Sequence, residues 1–378
     1  MSTTLHKIEK GAVGDIRVGD RYVIKVHRFT QYLLDIILRK EEIENDENYW
    51  KEKRKWNESL IVDELSNNLL DNIVVPGTIV RYMVFRKDLV HDDIINEILF
   101  GLDKMVVNTN IDAFLANYSS SKRNVDFADL NANLGEVNWS IIDASILIIS
   151  PRVTGNGLDY INANQDEISL KEFFLSIMEK LYILHNNYGI IHEDAKLNNI
   201  LVNEGLFIAK RFIIFDDNQY FFKKFTGNVY LTDFEWSESL RLIRGYRVYN
   251  KTHWTENSRS HPIIPKINES LEKYKYGKWN HGFDVIKFKE CKNKKLEIKQ
   301  YIKGITPRCF AIDSLCLVYC IFNGYKILDP SVQRILHHWF AEFRKSSIAD
   351  NEKRYHGQID YSSTEARGFT KIILETLI

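Results

Sequence analysis

The stretch HEDAKLNNILV, residues 192–202, places an acid, an amine and an amide at fixed offsets between two apolar runs. Apolar residues that precede and follow a short polar segment predict a strand, a loop and a second strand. Asp194, Lys196 and Asn199 then share one short loop, together with His192 at its start. Such a concentration of polar groups between buried strands favours a chemically active loop over a chance polar turn.

Two further segments, one before this loop in the sequence and one after it, carry polar residues of interest. The segment LTDFE, residues 231–235, follows an apolar run and lies about forty residues after the loop. Near the start of the chain, RYVIKV at residues 21–26 reads as a strand, because it is rich in β-branched and aromatic residues. This strand carries Lys25. A single lysine on a strand is usually just a solvent-exposed residue, and Lys25 becomes a candidate functional residue only because the two other segments follow it in order.

The three segments together resemble the V-A-I-K, H-R-D-L-K-x-x-N and D-F-G motifs of eukaryotic-type Ser/Thr protein kinases. This resemblance implies an α+β, bilobal protein-kinase-like fold, with a small β-rich N-lobe and a larger, mainly helical C-lobe. We expect the N-lobe at residues 1–150, with a helical insertion at about 29–90. The C-lobe is expected at 151–378, with a divergent activation segment and C-terminal helices.

The resemblance also implies a role for each matching residue. Asp194 would accept the proton of the attacking hydroxyl, and Lys196 would neutralise charge on the transferred phosphoryl group. Asn199 and Asp233 would hold Mg²⁺ against the phosphates of ATP, and Lys25 would pair with the α- and β-phosphates. The implied cofactors are therefore ATP and Mg²⁺.

The parts that cover the nucleotide match less well. Gly11 and Gly14 are the two glycines that remain of a G-x-G-x-x-G loop, and their backbone would cover the phosphates. The carboxylate partner of Lys25 stays open between two candidates. Glu97, on a predicted amphipathic helix, is preferred, and Glu64 is the alternative.

Three further expectations concern supporting residues. Asp284 or Asp313 would brace the catalytic loop from a following helix, and Asp284 ranks first because it lies closer to the metal-binding turn. The charged run YWKEKRKW, residues 49–56, predicts a solvated helix face without a function. Glu193 replaces the arginine that would pair with a phosphorylated activation loop, so we expect activity that does not wait for loop phosphorylation.

Local patterns between these motifs predict individual elements. Five apolar residues fall on one face at helical spacing, which predicts a helix that packs on the core; they are Phe173, Phe174, Ile177, Leu181 and Leu184. Gly189 suits the position just after the end of this helix. The segment FIIFDDNQYFFKKFTGN, residues 212–228, predicts a hairpin-like insertion.

Composition restricts the setting. The 378 residues carry 51 basic and 51 acidic side chains, which predicts no specific nucleic-acid partner. Apolar runs are too short to span a bilayer, and the first residues contain no apolar leader, so we expect no membrane partner and a cytoplasmic location. The four cysteines form no C-x-x-C pair, which suits a reducing compartment.

The leading interpretation is an ATP-dependent kinase that phosphorylates Ser/Thr of a protein substrate. The alternative is a catalytically impaired pseudokinase, acting as a scaffold or a self-assembling structural protein, because the glycine loop is eroded and Glu235 replaces the glycine of D-F-G. A small-molecule phosphotransferase is a third reading. The Asn-, Ile-, Lys- and Tyr-rich composition resembles that of divergent kinases of large DNA viruses.

Overall fold

Helices and antiparallel sheets are both present in the computed structural model, as the α+β class requires. The structure describes residues 7–10, 15–18, 21–43, 46–68, 70–86, 107–108, 142–164, 166–204, 212–215, 218–239, 241–249 and 313. The chain divides into two compact units. Unit 1 comprises Met1–Asn67 and Val75–Arg152, and unit 2 comprises Asn68–Val74 and Val153–Ile378.

The described residues of unit 1 form a six-stranded antiparallel sheet and two helices. Its elements are β1 (Lys7–Lys10), β2 (Asp15–Val18), β3 (Tyr22–Phe29), α1 (Gln31–Leu38), α2 (Glu47–Ser66), β4 (Ile79–Arg86), β5 (Val107–Asn108) and β6 (Ile142–Pro151). The strand order is β1-β2-β3-β6-β4-β5. Strand β3 therefore lies inside the sheet and is hydrogen-bonded to β2 on one side and to β6 on the other.

Helix α2 packs on this sheet through a fully buried tryptophan. Trp56 lies edge-on to Phe29 of β3, with ring centroids 6.4 Å apart, and contacts Tyr82 of β4 at 6.3 Å. Aromatic rings bury a large area and prefer this edge-to-face arrangement. One side chain thus joins the helix to two strands of the sheet.

The prediction of a solvated face for residues 49–56 is wrong. Glu52 and Lys53 are both buried, and the Glu52 carboxylate accepts hydrogen bonds from the backbone N–H and the hydroxyl of Thr30. Thr30 is the N-cap residue of α1, so a side chain of α2 satisfies donors at the start of α1. A run of charges is consistent with burial where each charge meets a donor or an opposite charge.

The described residues of unit 2 include two helices and three small antiparallel sheets. Its elements are β7 (Gly155–Asn156), α3 (Gly157–Ala163), α4 (Glu167–Ile183), β8 (Ile190–Ile191), β9 (Ile200–Asn203), β10 (Phe212–Phe215), β11 (Asn218–Phe221), β12 (Asn228–Leu231) and β13 (Glu238–Ser239). The sheets have the orders β12-β9-β7, β10-β11 and β13-β8. The segment Asn68–Val74 joins this unit through the Leu231 N–H, which donates to the Ile73 carbonyl at 2.7 Å.

Helix α4 is the central helix of unit 2 within the described residues. The face predicted from the apolar spacing is buried as expected; its members are Phe173, Phe174, Ile177, Leu181 and Leu184. The helix continues into a π-helical turn at Leu184–Tyr188 and ends before Gly189, whose φ is 63°. Glycine adopts this left-handed conformation without the Cβ clash, which confirms its predicted position at the C-terminus of the helix.

One buried side chain of α4 anchors the insertion between β9 and β12. Strands β10 and β11 form the predicted hairpin. Beyond β11, the backbone N–H groups of Lys223, Lys224 and Phe225 donate to the Glu172 carboxylate at 2.7, 2.8 and 2.7 Å. Glu172 is completely buried, and these hydrogen bonds replace the hydration that its charge loses.

No helix in the described part of the chain is long and apolar enough to cross a membrane.

Replacing Glu172 tests this anchor. We expect Glu172→Ala to lower the free energy of unfolding by about 3 kcal/mol, because three backbone N–H groups would lose their acceptor. Urea denaturation measures the change. Asp159→Ala, an exposed site on α3, is the control and should cost less than about 1 kcal/mol. An equal loss in both variants would show that Glu172 does not anchor the insertion.

Candidate active site

The loop between β8 and β9 is held by the carboxylate of Asp313. Its Oδ2 atom accepts from the backbone N–H of His192 at 2.8 Å, and Oδ1 accepts from that of Glu193 at 2.6 Å. The Nε2 atom of His185, at the end of α4, lies 2.8 Å from Oδ2. Asp313 and both histidines are buried, so the loop backbone is fixed from the interior of unit 2.

His192 connects this loop to the segment that follows β12. Its Nδ1 atom accepts from the Asp194 backbone N–H at 3.3 Å, so Nε2 carries the hydrogen and donates to the Thr232 carbonyl at 2.9 Å. The imidazole ring also packs against Phe234, with centroids 4.7 Å apart. The two segments singled out in the sequence are therefore in direct contact.

Asp194, Lys196 and Asn199 meet at one carboxylate oxygen. Lys196 Nζ lies 2.7 Å from Asp194 Oδ2, and Asn199 Nδ2 donates to the same oxygen at 2.9 Å. No described residue donates to Asp194 Oδ1. The Asp194 side chain is 26% exposed, so this second oxygen can accept a proton from a bound molecule.

Asn199 and Asp233 come together because β9 and β12 pair antiparallel. The register places Ile200 opposite Leu231, and the Thr232 N–H donates to the Asn199 carbonyl at 3.0 Å. The Asn199 amide nitrogen is committed to Asp194, which leaves its amide oxygen available. An amide oxygen and a carboxylate at the same end of a strand pair are the donor atoms that Mg²⁺ prefers.

The turn at residues 233–235 requires no glycine at position 235. The left-handed residue in this turn is Asp233, with φ 65°, whereas Phe234–Trp236 form a 3₁₀ turn. Aspartate tolerates the left-handed region better than most residues. Position 235 therefore requires no positive φ, and its side chain is buried.

In unit 1, Lys25 forms an ion pair with Glu58 of α2. Lys25 Nζ lies 2.9 Å from Glu58 Oε2 and 3.0 Å from Oε1. Burial by itself would raise the pKa of Glu58, but the Lys25 ammonium and the hydrogen bonds from His27 and Lys25 lower it to about 2. The glutamate is therefore ionised at neutral pH and holds the ammonium by two contacts.

The sequence did not identify this partner. Glu97, the preferred candidate, lies outside the described residues, as do Gly11 and Gly14. Glu64 lies on α2, six residues beyond Glu58 and on a different face of the helix. The sequence did contain a signal for Glu58, because this glutamate lies on the same face of α2 as three apolar residues at i+3, i+4 and i+7. These residues, all buried, are Ile61, Val62 and Leu65.

The bracing aspartate also differs from the first choice made from the sequence. The carboxylate that accepts from the loop backbone is that of Asp313, which ranked second. Asp284 lies outside the described residues. Proximity along the chain to the segment 231–235 was a poor guide, because the tertiary fold and not sequence distance brings a bracing residue to its loop.

Glu193, the residue before Asp194, is buried in the loop between β8 and β9. Burial raises the pKa of Glu193 well above its ordinary value, and the carboxylates of Glu238 and Asp313 raise it further. Its backbone is left-handed, with φ 62°. Because the folded-state pKa is raised, stability is greatest at pH values below the pKa of the unfolded chain and falls as pH rises through the folded-state pKa.

Comparison of the sequence with protein-family models and with curated proteins finds no match. A functional assignment for this chain therefore depends on the geometry of its own residues.

The role of Asp313 is tested against the alternative aspartate. We expect Asp313→Ala to lower the free energy of unfolding by about 3 kcal/mol, because the N–H groups of His192 and Glu193 and the imidazole of His185 lose their acceptor. Urea denaturation of Asp313→Ala and Asp284→Ala, measured in parallel, gives the comparison. A larger loss in Asp284→Ala would overturn the assignment.

The pKa of Glu193 predicts a pH-dependent effect. We expect Glu193→Gln to be more stable than the wild-type chain at about pH 8, and this advantage to shrink as pH falls toward about 4, because glutamine cannot ionise. The slope is at most about 1.4 kcal/mol per pH unit. Denaturation of both chains across this range measures the difference. A difference that does not vary with pH would contradict the raised pKa of Glu193.

Proposed function

We propose that this protein is a bilobal, protein-kinase-like enzyme that transfers the γ-phosphoryl group of ATP to Ser/Thr of a protein substrate. The observation that carries the proposal is the geometry of Asp194. One of its oxygens is held by Lys196 and Asn199, and the other takes no hydrogen bond from a described residue. An aspartate so oriented suits the abstraction of a hydroxyl proton.

The bonds change as follows in the proposed reaction. The substrate hydroxyl oxygen attacks the γ-phosphorus, the bond from that phosphorus to the β–γ bridging oxygen breaks, and ADP leaves. Asp194 takes the hydroxyl proton. Lys196 lies beside Asp194 with a side chain that is 40% exposed, so its charge can reach a transferring phosphoryl group.

The donor atoms of unit 2 fit Mg²⁺. The amide oxygen of Asn199 and the carboxylate of Asp233 would hold the ion. When bound, Mg²⁺ supplies positive charge against the phosphate oxygens. In unit 1, the Lys25–Glu58 pair provides a held ammonium of the kind that contacts nucleotide phosphates.

The segment after the metal-binding turn supports activity without loop phosphorylation. Strand β13 pairs with β8, and the Ser239 N–H donates to the Val248 carbonyl at 2.8 Å. Ile243 and Tyr246 exchange two backbone hydrogen bonds across a turn formed by Arg244 and Gly245. Both turn residues have positive φ, which is the backbone of a tight hairpin, so this part of the segment is already folded.

Phosphoryl transfer is the direct test. We expect the purified chain to transfer label from [γ-³²P]ATP to itself or to casein in the presence of Mg²⁺, and Asp194→Asn to reduce the rate by about 10²-fold or more because the proton acceptor is lost. Asp159→Asn, an exposed aspartate of α3, is the matched control and should leave the rate unchanged.

Each remaining outcome has a defined meaning. MgATP that raises the melting temperature of the wild-type chain without any transfer would favour the impaired, scaffolding form of the fold. Transfer to small hydroxyl compounds but not to proteins would favour a small-molecule phosphotransferase. Absence of both transfer and a Mg²⁺-dependent thermal shift with ATP would overturn the proposal.

A further inference from the structure

His27 is a buried histidine that contacts the same carboxylate as Lys25. It lies two residues after Lys25 on β3, so both side chains point to the same face of the sheet. His27 Nε2 is 2.8 Å from Glu58 Oε2, the oxygen that also lies 2.9 Å from Lys25 Nζ. His27 and Glu58 are 0% and 2% exposed, so neither group exchanges this contact for water.

The protonation of this contact follows from its surroundings. Burial lowers the pKa of His27, the Glu58 carboxylate opposes that shift, and the charges of Lys25 and Lys55 add to it. The imidazole is therefore neutral at physiological pH. Because the ionised Glu58 can only accept, the single imidazole hydrogen must lie on Nε2.

The Nδ1 atom of His27 shows that packing alone does not explain why a histidine occupies this buried position. Nδ1 of His27 is buried, and no described residue donates to it. A buried acceptor without a donor is unfavourable, and an aliphatic residue at this interior strand position would avoid that penalty. The neighbouring buried positions of β3 are indeed aliphatic or aromatic; they are Ile24, Val26 and Phe29. The compensating gain from the imidazole is the hydrogen bond to Glu58.

We propose that His27 is a positioning residue for the phosphate-binding lysine, acting through Glu58. Lys25 contacts both carboxylate oxygens, and the His27 bond to Oε2 fixes the plane in which they lie. The carboxylate then cannot rotate about its terminal bond, and the ammonium is held at one point. His27 donates as a neutral group, so the Lys25–Glu58 pair keeps its opposite charges. This role rests on the proposed function, since it concerns the lysine assigned to nucleotide phosphates.

Two substitutions separate the hydrogen bond from the bulk of the side chain. His27→Gln keeps an amide N–H donor at nearly the same reach, whereas His27→Leu keeps apolar volume and removes the donor. Ile24→Val is the control, because Ile24 is buried on the opposite face of β3. This substitution weakens the packing of the strand without changing the contacts of Glu58. For each variant we would measure MgATP affinity, and kcat and KM for ATP in the transfer assay.

We expect His27→Leu to lose about tenfold or more in kcat/KM for ATP, the scale of a hydrogen bond to a charged group, and His27→Gln to remain within about threefold of wild type. Ile24→Val should lower stability but not kcat/KM. The proposal is overturned if His27→Leu matches wild type, if His27→Gln falls as far as His27→Leu, or if Ile24→Val shows the same loss.

A measurement without nucleotide keeps this test separate from that of the proposed function. In ¹⁵N-histidine-labelled protein at about pH 8, the signal that His27→Gln removes should come from a neutral ring with its hydrogen on Nε2. A neutral ring with its hydrogen on Nδ1 overturns the His27–Glu58 bond. If that bond is present but the wild-type chain neither binds MgATP nor transfers phosphoryl groups, the proposed function fails and the positioning role fails with it.

Discussion

The Asp313 carboxylate holds the backbone from which the candidate site is built. It accepts from two consecutive N–H groups, those of His192 and Glu193. Glu193 has a left-handed backbone and immediately precedes Asp194. A non-glycine residue in this conformation is strained, and such strain persists only where surrounding contacts over-determine it. With both N–H directions fixed, the path of the chain into Asp194 is fixed as well. The contacts of His192 with the Thr232 carbonyl and the Phe234 ring then transmit this placement to the turn at Asp233.

Buried carboxylates recur as organising groups, and each is satisfied in its own way. Asp313 and Glu172 accept backbone N–H groups, which fixes loops that have no regular pairing of their own. Glu58 accepts from a lysine and a histidine, and its pKa of about 2 reflects that opposite charge and those donors. Glu193 is the contrasting case, because burial and neighbouring carboxylates raise its pKa. A buried acid remains charged only where donors or cations offset the lost hydration.

Much of the fold followed from local patterns. The apolar face of α4, the left-handed Gly189 and the β10–β11 hairpin were all predicted, because each depends on residues close together in sequence. The prediction for the charged run at 49–56 was wrong because its burial depends on contacts with residues distant in the sequence. Hydrophilic composition normally indicates solvent exposure. Glu52 and Lys53 are nevertheless buried, and Glu52 accepts from Thr30, a contact that composition does not reveal.

The sequence by itself determined the residues of the loop and the turn, since backbone geometry makes a fixed offset along the chain a nearly fixed distance. Asp194, Lys196 and Asn199 meet because they lie two and five residues apart. Only the tertiary structure decided which distant carboxylates support them. Glu58 reaches Lys25 from 33 residues away, and Asp313 reaches Glu193 from 120. The sequence offers several acidic residues for each of these two contacts. The unfolded chain does not favour one distant partner over another, so only the packing of the folded protein selects the acid that makes the contact.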